Sequence, residues 1–465
     1  MLDVINQWIA QANDFLYGYI LIALLVISGV YFTIRTKFVQ IRLFPEAIRV
    51  LTEKKKEKTG VSSFQALMIS TASRVGTGNI AGVATALSMG GAGAIFWMWV
   101  MAIVGSASAF VESTLAQVYK ERDGEVFRGG PAYYIQYALG QRWLGIIFSI
   151  LLIACFAFGF NALQSFNVSS AFAYYVEDYA NSSVPMIIGL ILAAATALVI
   201  FGGVQRIGII TSGIVPVMAL LYIVLGLYIT CTNLGKLPDI FGEIFAGAFD
   251  FKSIAGGFAG SCVMYGIKRG LFSNEAGMGS APNAGATADV SHPAKQGMVQ
   301  MLSVFIDTIL ICTTTAMMLL NFGTGNKELT GMPYVQQAVN AEVGVWGIHF
   351  ITVSIFLFAF SSLIGNYCYA ESNLKFIKDS KGLLFVFRII VVGVVFVGAQ
   401  ANFDTVWNLA DVLMGLMAIV NIVSIILLSK ISMKVMNDYT RQKKEGKDPQ
   451  FHPDKLGIKN TQCWK

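Results

Sequence analysis

The chain has 465 residues, 55% of them hydrophobic and 13% charged, with a formal net charge of +6. Soluble domains carry about 25% charged residues, so a water-soluble globular fold is excluded, whereas roughly 20 apolar residues are enough to cross a bilayer. The six cysteines form no Cys-x-x-Cys pair and read as small apolar residues, not as a disulfide frame or a metal site.

In chain order, apolar runs of membrane length fall at about 15–34, 61–87, 92–118, 143–177, 184–202, 208–232, 253–286, 296–322, 346–374, 383–400 and 405–429. They predict an all-α integral membrane protein with eleven transmembrane helices. No basic run precedes the first segment, so it is expected to persist as a helix and not to be cleaved as a signal peptide. The connection 35–58 holds eight Lys and Arg; 120–142, Arg206, Lys295, 375–388 and the tail from Lys430 continue the series on alternate connections. In all, 27 Lys and Arg lie on this side against three (Lys236, Lys252, Lys327) on the other. Cytoplasmic loops carry the excess of Lys and Arg. The expectation is an N-terminus outside and a C-terminus inside a bacterial-type plasma membrane. The basic tail 431–465 is expected to be a solvated cytoplasmic end touching anionic lipid, with no role in nucleic-acid binding.

With 1–60 set aside as an extra N-terminal helix and a basic connection, ten spans remain. They divide into two sets of five, within 61–235 and 236–430. Five is odd, so the halves run in opposite directions, as an inverted repeat. The first span of each set carries helix breakers: "SRVGTGN" at Ser73–Asn79 and "YGIKRGLFSNEAGMG" at Tyr265–Gly279. Interrupted segments at matching places in two halves point to a binding site at the midplane. Backbone that leaves the helix inside lipid exposes N–H and C=O groups that need partners. A half-helix N-terminus offers N–H groups to a carboxylate, and a half-helix C-terminus offers carbonyls to an ammonium or a sodium ion. Gly76 and Gly78 read as permitting the unwound angles and direct contact of a ligand with backbone. A zwitterionic amino acid fits such a break.

"GTGNIAGVATAL", "GAIFWMWV" and "KRGLFSNEAGMGSAP" resemble the alanine or glycine:cation symporter family, sodium-coupled amino-acid carriers, over about residues 15–430. The resemblance implies the leucine-transporter fold, a 5+5 inverted repeat, here with one extra N-terminal helix. It implies that the Gly78 amide, with Gly76 and Thr77 close by, faces the substrate carboxylate; Arg74 beside them is expected in the substrate set through its backbone, which should face the ligand amine while its side chain avoids it. The carbonyls of Ala72, Val75 and Phe358 and the hydroxyls of Ser361 and Ser362 match sodium ligands, an oxygen-only set suited to a hard cation. Phe272, Ser273 and Asn274 match the segment flanking the substrate, and Asn161 and Gln164 match an Asn-x-x-Gln on the third core helix. Members fitted to alanine and glycine tend to carry tryptophan after the glycine that is Gly365 here. This chain has Asn366, which predicts a larger, more polar pocket able to admit glutamine or asparagine.

Arg74, Glu112, Lys268, Arg269, Glu275, Asp307 and Glu371 lie in or at the ends of apolar spans, where charges pair or line an aqueous path. Lys268, Arg269 and Glu275 are expected to pair with one another or with the inner gate. Arg74 is expected to turn toward the inner vestibule and pair with Glu275 or Asp307. His292, His349 and His452 fall in loops or near span ends, and neither Gly-x-Ser-x-Gly nor His-Glu-x-x-His occurs. The chain is therefore not expected to be an enzyme. The reading is a secondary active transporter for sodium-coupled uptake of small neutral amino acids by alternating access. Sodium-coupled glutamine or asparagine transport, and proton coupling, are the alternatives. Its partners would be the amino acid, Na+ as coupling ion and the lipid bilayer, with no nucleic acid and no obligate protein partner.

Overall fold

The computed structural model describes residues 2–53, 61–124, 126–250, 261–323 and 329–464. Residues 253–260 of the predicted seventh span, the cluster Lys54, Lys55, Lys56 and Lys58, and also Lys252 and Lys327 lie outside the described residues, as does the side chain of Arg206.

Eight helices among the described residues are long and apolar enough to cross a membrane. They are α1 (Asn6–Arg35), α5 (Gly93–Val118), α7 (Arg142–Tyr175), the Gly213–Thr232 stretch of α9 (Gly203–Thr232), α13 (Pro293–Phe322), α15 (Val345–Ile377), α16 (Lys381–Gly398) and α17 (Phe403–Leu427). Between them run α2 (Phe44–Leu51), α3 (Ser63–Arg74), α4 (78–90), α6 (Pro131–Leu139), α8 (Val184–Ile200), α10 (Leu237–Ala248), α11 (Cys262–Asn274), α12 (Ala281–Ala286), α14 (Gly331–Val343) and α18 (Ser429–Lys444). Among the described residues the strands form one small hairpin, β1 (Glu121–Asp123) with β2 (Val126–Arg128), Glu121 opposite Arg128.

Local chemistry sets the helix ends that matter. Ser62 opens α3 with a capping box: its hydroxyl accepts from Gln65 N while Gln65 Oε1 accepts from Ser62 N. Ser261 caps α11 by accepting from Met264 N. The long apolar helix α5 is buried over most of its length and packs against α13, α11 and α1. Close packing needs small residues there. A Cβ on Gly297 of α13 would meet Phe110 O at 2.8 Å, and one on Gly266 of α11 would meet Ala94 O at 2.5 Å. The lipid-exposed residues are apolar, among them Leu198, Leu220, Val353 and Val397, as an apolar solvent requires.

The tail departs from the expected solvated end. Phe451 and Ile458 are buried, Phe451 N donates to Ser291 O at 3.0 Å, and Trp464 Nε1 donates to Gln117 O at 2.8 Å. Lys295 reaches Glu53 at 2.6 Å and Asp448 at 3.0 Å. Alternating apolar residues in a basic segment allow it to lie on protein while its charges stay wet. Composition alone registered only the charges.

Candidate substrate and ion site

Two helices come apart at the centre of the bundle. α3 ends at Arg74, and Val75 leaves the helix at φ −76°, ψ 84°. After Gly76 the chain re-enters helix through a π-turn at Gly78–Gly82. Neither Gly76 nor Gly78 has a positive φ, so a left-handed backbone is not what requires glycine at either position. Their role is steric. A Cβ on Gly76 would overlap Ser362 Oγ and stand 2.8 Å from Gln164 Nε2; one on Gly78 would stand 2.9 Å from the Phe272 ring.

The second break is shorter and later than its sequence suggests. α11 is unbroken through Tyr265 and Asn274, and the chain leaves it at Glu275, with φ 55°, followed by Gly277 and Gly279 at φ 83° and 86°. Lys268 and Arg269 do not break the helix, because both pair with one oxygen of Asp411 on α17, at 2.8 and 2.6 Å. They do not pair with Glu275, as had been expected. Arg269 also lies over the Trp407 ring and Lys268 over Tyr17 of α1. Asp411 is a lone carboxylate in the apolar run 405–429, the signal that could have found it.

Around the first break the predicted residues converge. Gln164 Oε1 accepts from Thr77 N at 3.0 Å, and Asn79 Oδ1 accepts from Gly76 N at 3.1 Å. Asn79 Nδ2 donates to Asp307 Oδ1 at 2.7 Å, and Ser273 Oγ donates to Asp307 Oδ2 at 2.5 Å. Asn79 was legible in the "GTGN" string but not as the residue that ties the break to α13. Asn366 Nδ2 donates to Asn161 Oδ1 at 3.0 Å. Ser73 Oγ lies 2.7 Å from Asn366 Oδ1 and 3.0 Å from Glu275 Oε1, with one proton to give. Asn274 Oδ1 accepts from Ala276 N at 3.0 Å. Phe272 covers Gly78 and packs edge-on against Phe160 and Trp407, with centroids at 4.8 and 5.3 Å. Thr77 Oγ1, Asn161 Nδ2 and Asn274 Nδ2 are buried without a partner. Buried polar atoms normally have partners, so each of these three has a hydrogen bond left to offer.

Four of the five predicted ion ligands also meet. Ser362 Oγ lies 2.9 Å from the Ala72 carbonyl and 3.1 Å from the Phe358 carbonyl, and Ser361 Oγ lies 2.8 Å from the latter. Four oxygens thus share two hydroxyl protons. The spare lone pairs suit a hard monovalent cation. Val75, the fifth, is buried next to Arg74 at the end of α3. Among the described residues no cluster of His, Cys, Asp and Glu could hold a metal ion.

Arg74 pairs with neither Glu275 nor Asp307. Its Nη1 donates to Gln300 O at 3.4 Å, while Nε and Nη2 have no hydrogen-bond partner. Its neighbours at the break are occupied by neutral donors: Glu275 by Ser73 and Ser280, Asp307 by Asn79, Ser273 and Thr308.

The sodium:alanine symporter family model matches residues 2–453. The chain belongs to that family. Family members are transporters, not enzymes. The chain is 49% identical to the amino-acid carrier protein AlsT of Bacillus subtilis, over 99% of this chain and 97% of that one. It is 47% identical to the probable sodium/glutamine symporter GlnT of the same organism, over 100% and 97%. The sodium/alanine symporter AgcS of Methanococcus maripaludis is 40% identical over 90% and 94%. Among solved structures, MhsT in complex with L-phenylalanine superposes with a TM-score of 0.57 at 14% identity, covering 82% of this chain and 99% of that one. A manganese transporter of Eremococcus coleocola superposes at 0.52 and 12% identity, over 84% and 81%. The symporter thus shares its fold with transporters of other families, and it is a multi-pass membrane protein.

Proposed function

We propose that this symporter takes up small neutral amino acids, alanine and glycine first, together with Na+, by alternating access. In this reading the chain crosses eleven times, through the eight long helices, α8, and the two broken pairs α3/α4 and α11/α12. The pairs open the two halves of a 5+5 inverted repeat after α1. The Lys and Arg asymmetry supports an N-terminus outside, a C-terminus in the cytoplasm and a location in the cell membrane.

The observation that carries the reading is the meeting of the α3 break with Ser362 and Gln164. Sodium bound by Ala72, Val75, Phe358, Ser361 and Ser362 would tie α3 to α15 and fix the break in its substrate-ready shape. The substrate carboxylate would then lie on the Gly78 amide, with Gly76 and Thr77 close by, their own amides held by Asn79 and Gln164. Asn161, Gln164, Phe272, Ser273, Asn274 and Asn366 would line the rest. One Na+ carried with a zwitterion moves one positive charge inward, worth about 2.3 kcal/mol at 100 mV. A tenfold sodium gradient adds about 1.4 kcal/mol, so the sum supports accumulation on the order of 500-fold.

A second substrate has a specific observation in its favour. Asn366 and Asn161 bring two carboxamides together, and Asn161 Nδ2 is left without a partner. Such a wall would hydrogen-bond the side chain of glutamine or asparagine, and a relative, GlnT, is named a probable sodium/glutamine symporter. The test is uptake of labelled alanine into proteoliposomes at fixed pH, with sodium or choline outside. The expected result is uptake with sodium only, blocked by excess unlabelled alanine. Equal uptake in choline would refute sodium coupling and favour protons. Failure of excess glutamine to compete would remove the second substrate.

A further inference from the structure

Arg74 is 2% exposed, and the two guanidinium nitrogens without a partner, Nε and Nη2, form one edge of the group. That edge is the side-on fork that takes a carboxylate through two parallel hydrogen bonds. Gln300, which is 0% exposed, accepts from Arg74 through its backbone carbonyl and leaves both side-chain amide atoms unpartnered. Glu112, Glu275 and Asp307 all lie within Coulombic reach of Arg74, and none comes within ion-pair distance of it. Neutral donors hold each of them: Gly277 N and Asn421 for Glu112, Ser73 and Ser280 for Glu275, and Asn79, Ser273 and Thr308 for Asp307.

A cation with a free fork and three carboxylates held by neutral donors are therefore buried within Coulombic reach of one another without a direct ion pair. Unsatisfied buried donors are costly, and a zwitterion is the solute whose two ends would relieve both. The position is also informative. Asp307 meets Asn79 at the level of the break. Gln300 lies seven residues earlier on α13, toward the end of the bundle that carries the tail, which is about 10 Å along a helix axis.

We infer that Arg74, Glu275 and Gln300 form a second amino-acid site on the release side of the pocket, taking the solute's carboxylate on Nε and Nη2 of Arg74 and its ammonium on Glu275. Ser73, which touches both Glu275 and Asn366, joins this site to the first, so the solute passes from one to the other as the inner half-helix swings away. The inference rests on the function proposed above.

The experiment uses the full chain, reconstituted in one orientation, and measures the KM for labelled alanine separately from the tail side and from the opposite side. Arg74→Lys keeps the charge and removes the fork. The expected result is a rise of about 10-fold in the tail-side KM, with the opposite-side KM nearly unchanged, because one charge-assisted bond replaces two. Gln300→Ala should shift the tail-side KM the same way by less, which keeps the test open if Arg74→Lys fails to fold. Equal shifts on both sides would assign Arg74 to the first pocket or to structure, and overturn the inference. So would unshifted values in a carrier whose wild type is active. Recovery of wild-type transport by the charge swap R74E/E275R would make the pair a simple gate and also overturn it. A wild-type carrier that takes up no amino acid would instead sink the underlying function.

Discussion

Gly76→Ala tests the steric reading of the break. Gly76 has no positive φ, so alanine meets no backbone strain, and the whole effect comes from the added methyl. It would overlap Ser362 Oγ and press Gln164 Nε2 and Oε1 at 2.8 and 3.0 Å. Real Cβ atoms do not approach so closely, so both side chains must shift. Each movement breaks a hydrogen bond: Ser362 to the Ala72 carbonyl, and Gln164 to the Thr77 amide. Overpacking a tight site costs about 1–3 kcal/mol, and two lost hydrogen bonds cost about 1 kcal/mol each. The sum of roughly 3–5 kcal/mol corresponds to a loss on the order of 100- to 5,000-fold in sodium-dependent substrate affinity. Scintillation proximity binding at stepped sodium concentrations measures it. Gly82→Ala is the control, since a Cβ there makes only ordinary contacts at 3.7 Å, and binding should hold. The double variant G76A/S362A relieves the Ser362 overlap, though not the Gln164 contact, and deletes an ion ligand, so it should recover part of the thermal stability and not sodium dependence. Wild-type sodium affinity in Gly76→Ala, or full transport in the double variant, would refute the reasoning.

Asp411→Asn leaves Lys268 and Arg269 buried against one neutral amide. Breaking a buried ion pair from one side costs about 3–5 kcal/mol, so a large drop in Tm is expected; an unchanged melting curve would show that the triad is not desolvated. The tail should undock in acid. Burial holds His292 below its ordinary pKa despite the neighbouring Asp438, whose own carboxylate is lowered by the hydrogen bond from His292. His292 Nδ1 already accepts from Ala294 N, so a second ring proton has no place. Its depressed pKa means that the docked form binds fewer protons, so docking is at full strength above about pH 6.5 and weakens as pH falls from there toward the docked-state pKa. Hydrogen exchange of 447–464 should rise over that window, and His292→Asn, which keeps a capping oxygen, should flatten the profile. An identical profile in the variant would assign the effect elsewhere. Asn366→Ala should weaken glutamine competition more than alanine uptake; equal weakening would remove Asn366 from side-chain recognition.

Much of this was legible because lipid permits few solutions. Apolar length marks the eight long helices, and breakers inside an apolar run give the first gap almost to the residue. The second gap was placed ten residues early because "YGIKRG" pairs glycines with charge, a pattern that reads as a break. The charges are instead satisfied by Asp411, a partner 142 residues away that no local pattern reveals. Arg74 misled in the opposite direction. Nearby carboxylates suggested an ion pair, yet each is engaged by serine, threonine, asparagine or a backbone amide. The roles of Gly76 and Gly78 also depended on what faces them: sequence reports that a side chain is missing, and only the fold identifies Ser362 and Phe272 as what fills the space.

The most direct test of the central claim, that the α3 break holds the amino acid and its ion, is an experimental map of the reconstituted protein with alanine and sodium. Carboxylate density is expected at the Gly78 amide, beside Gly76 and Thr77, with a spherical peak among the oxygens of Ala72, Val75, Phe358, Ser361 and Ser362. Alanine bound elsewhere, with Ser362 still hydrogen-bonded to the Ala72 carbonyl and no peak between them, would contradict it.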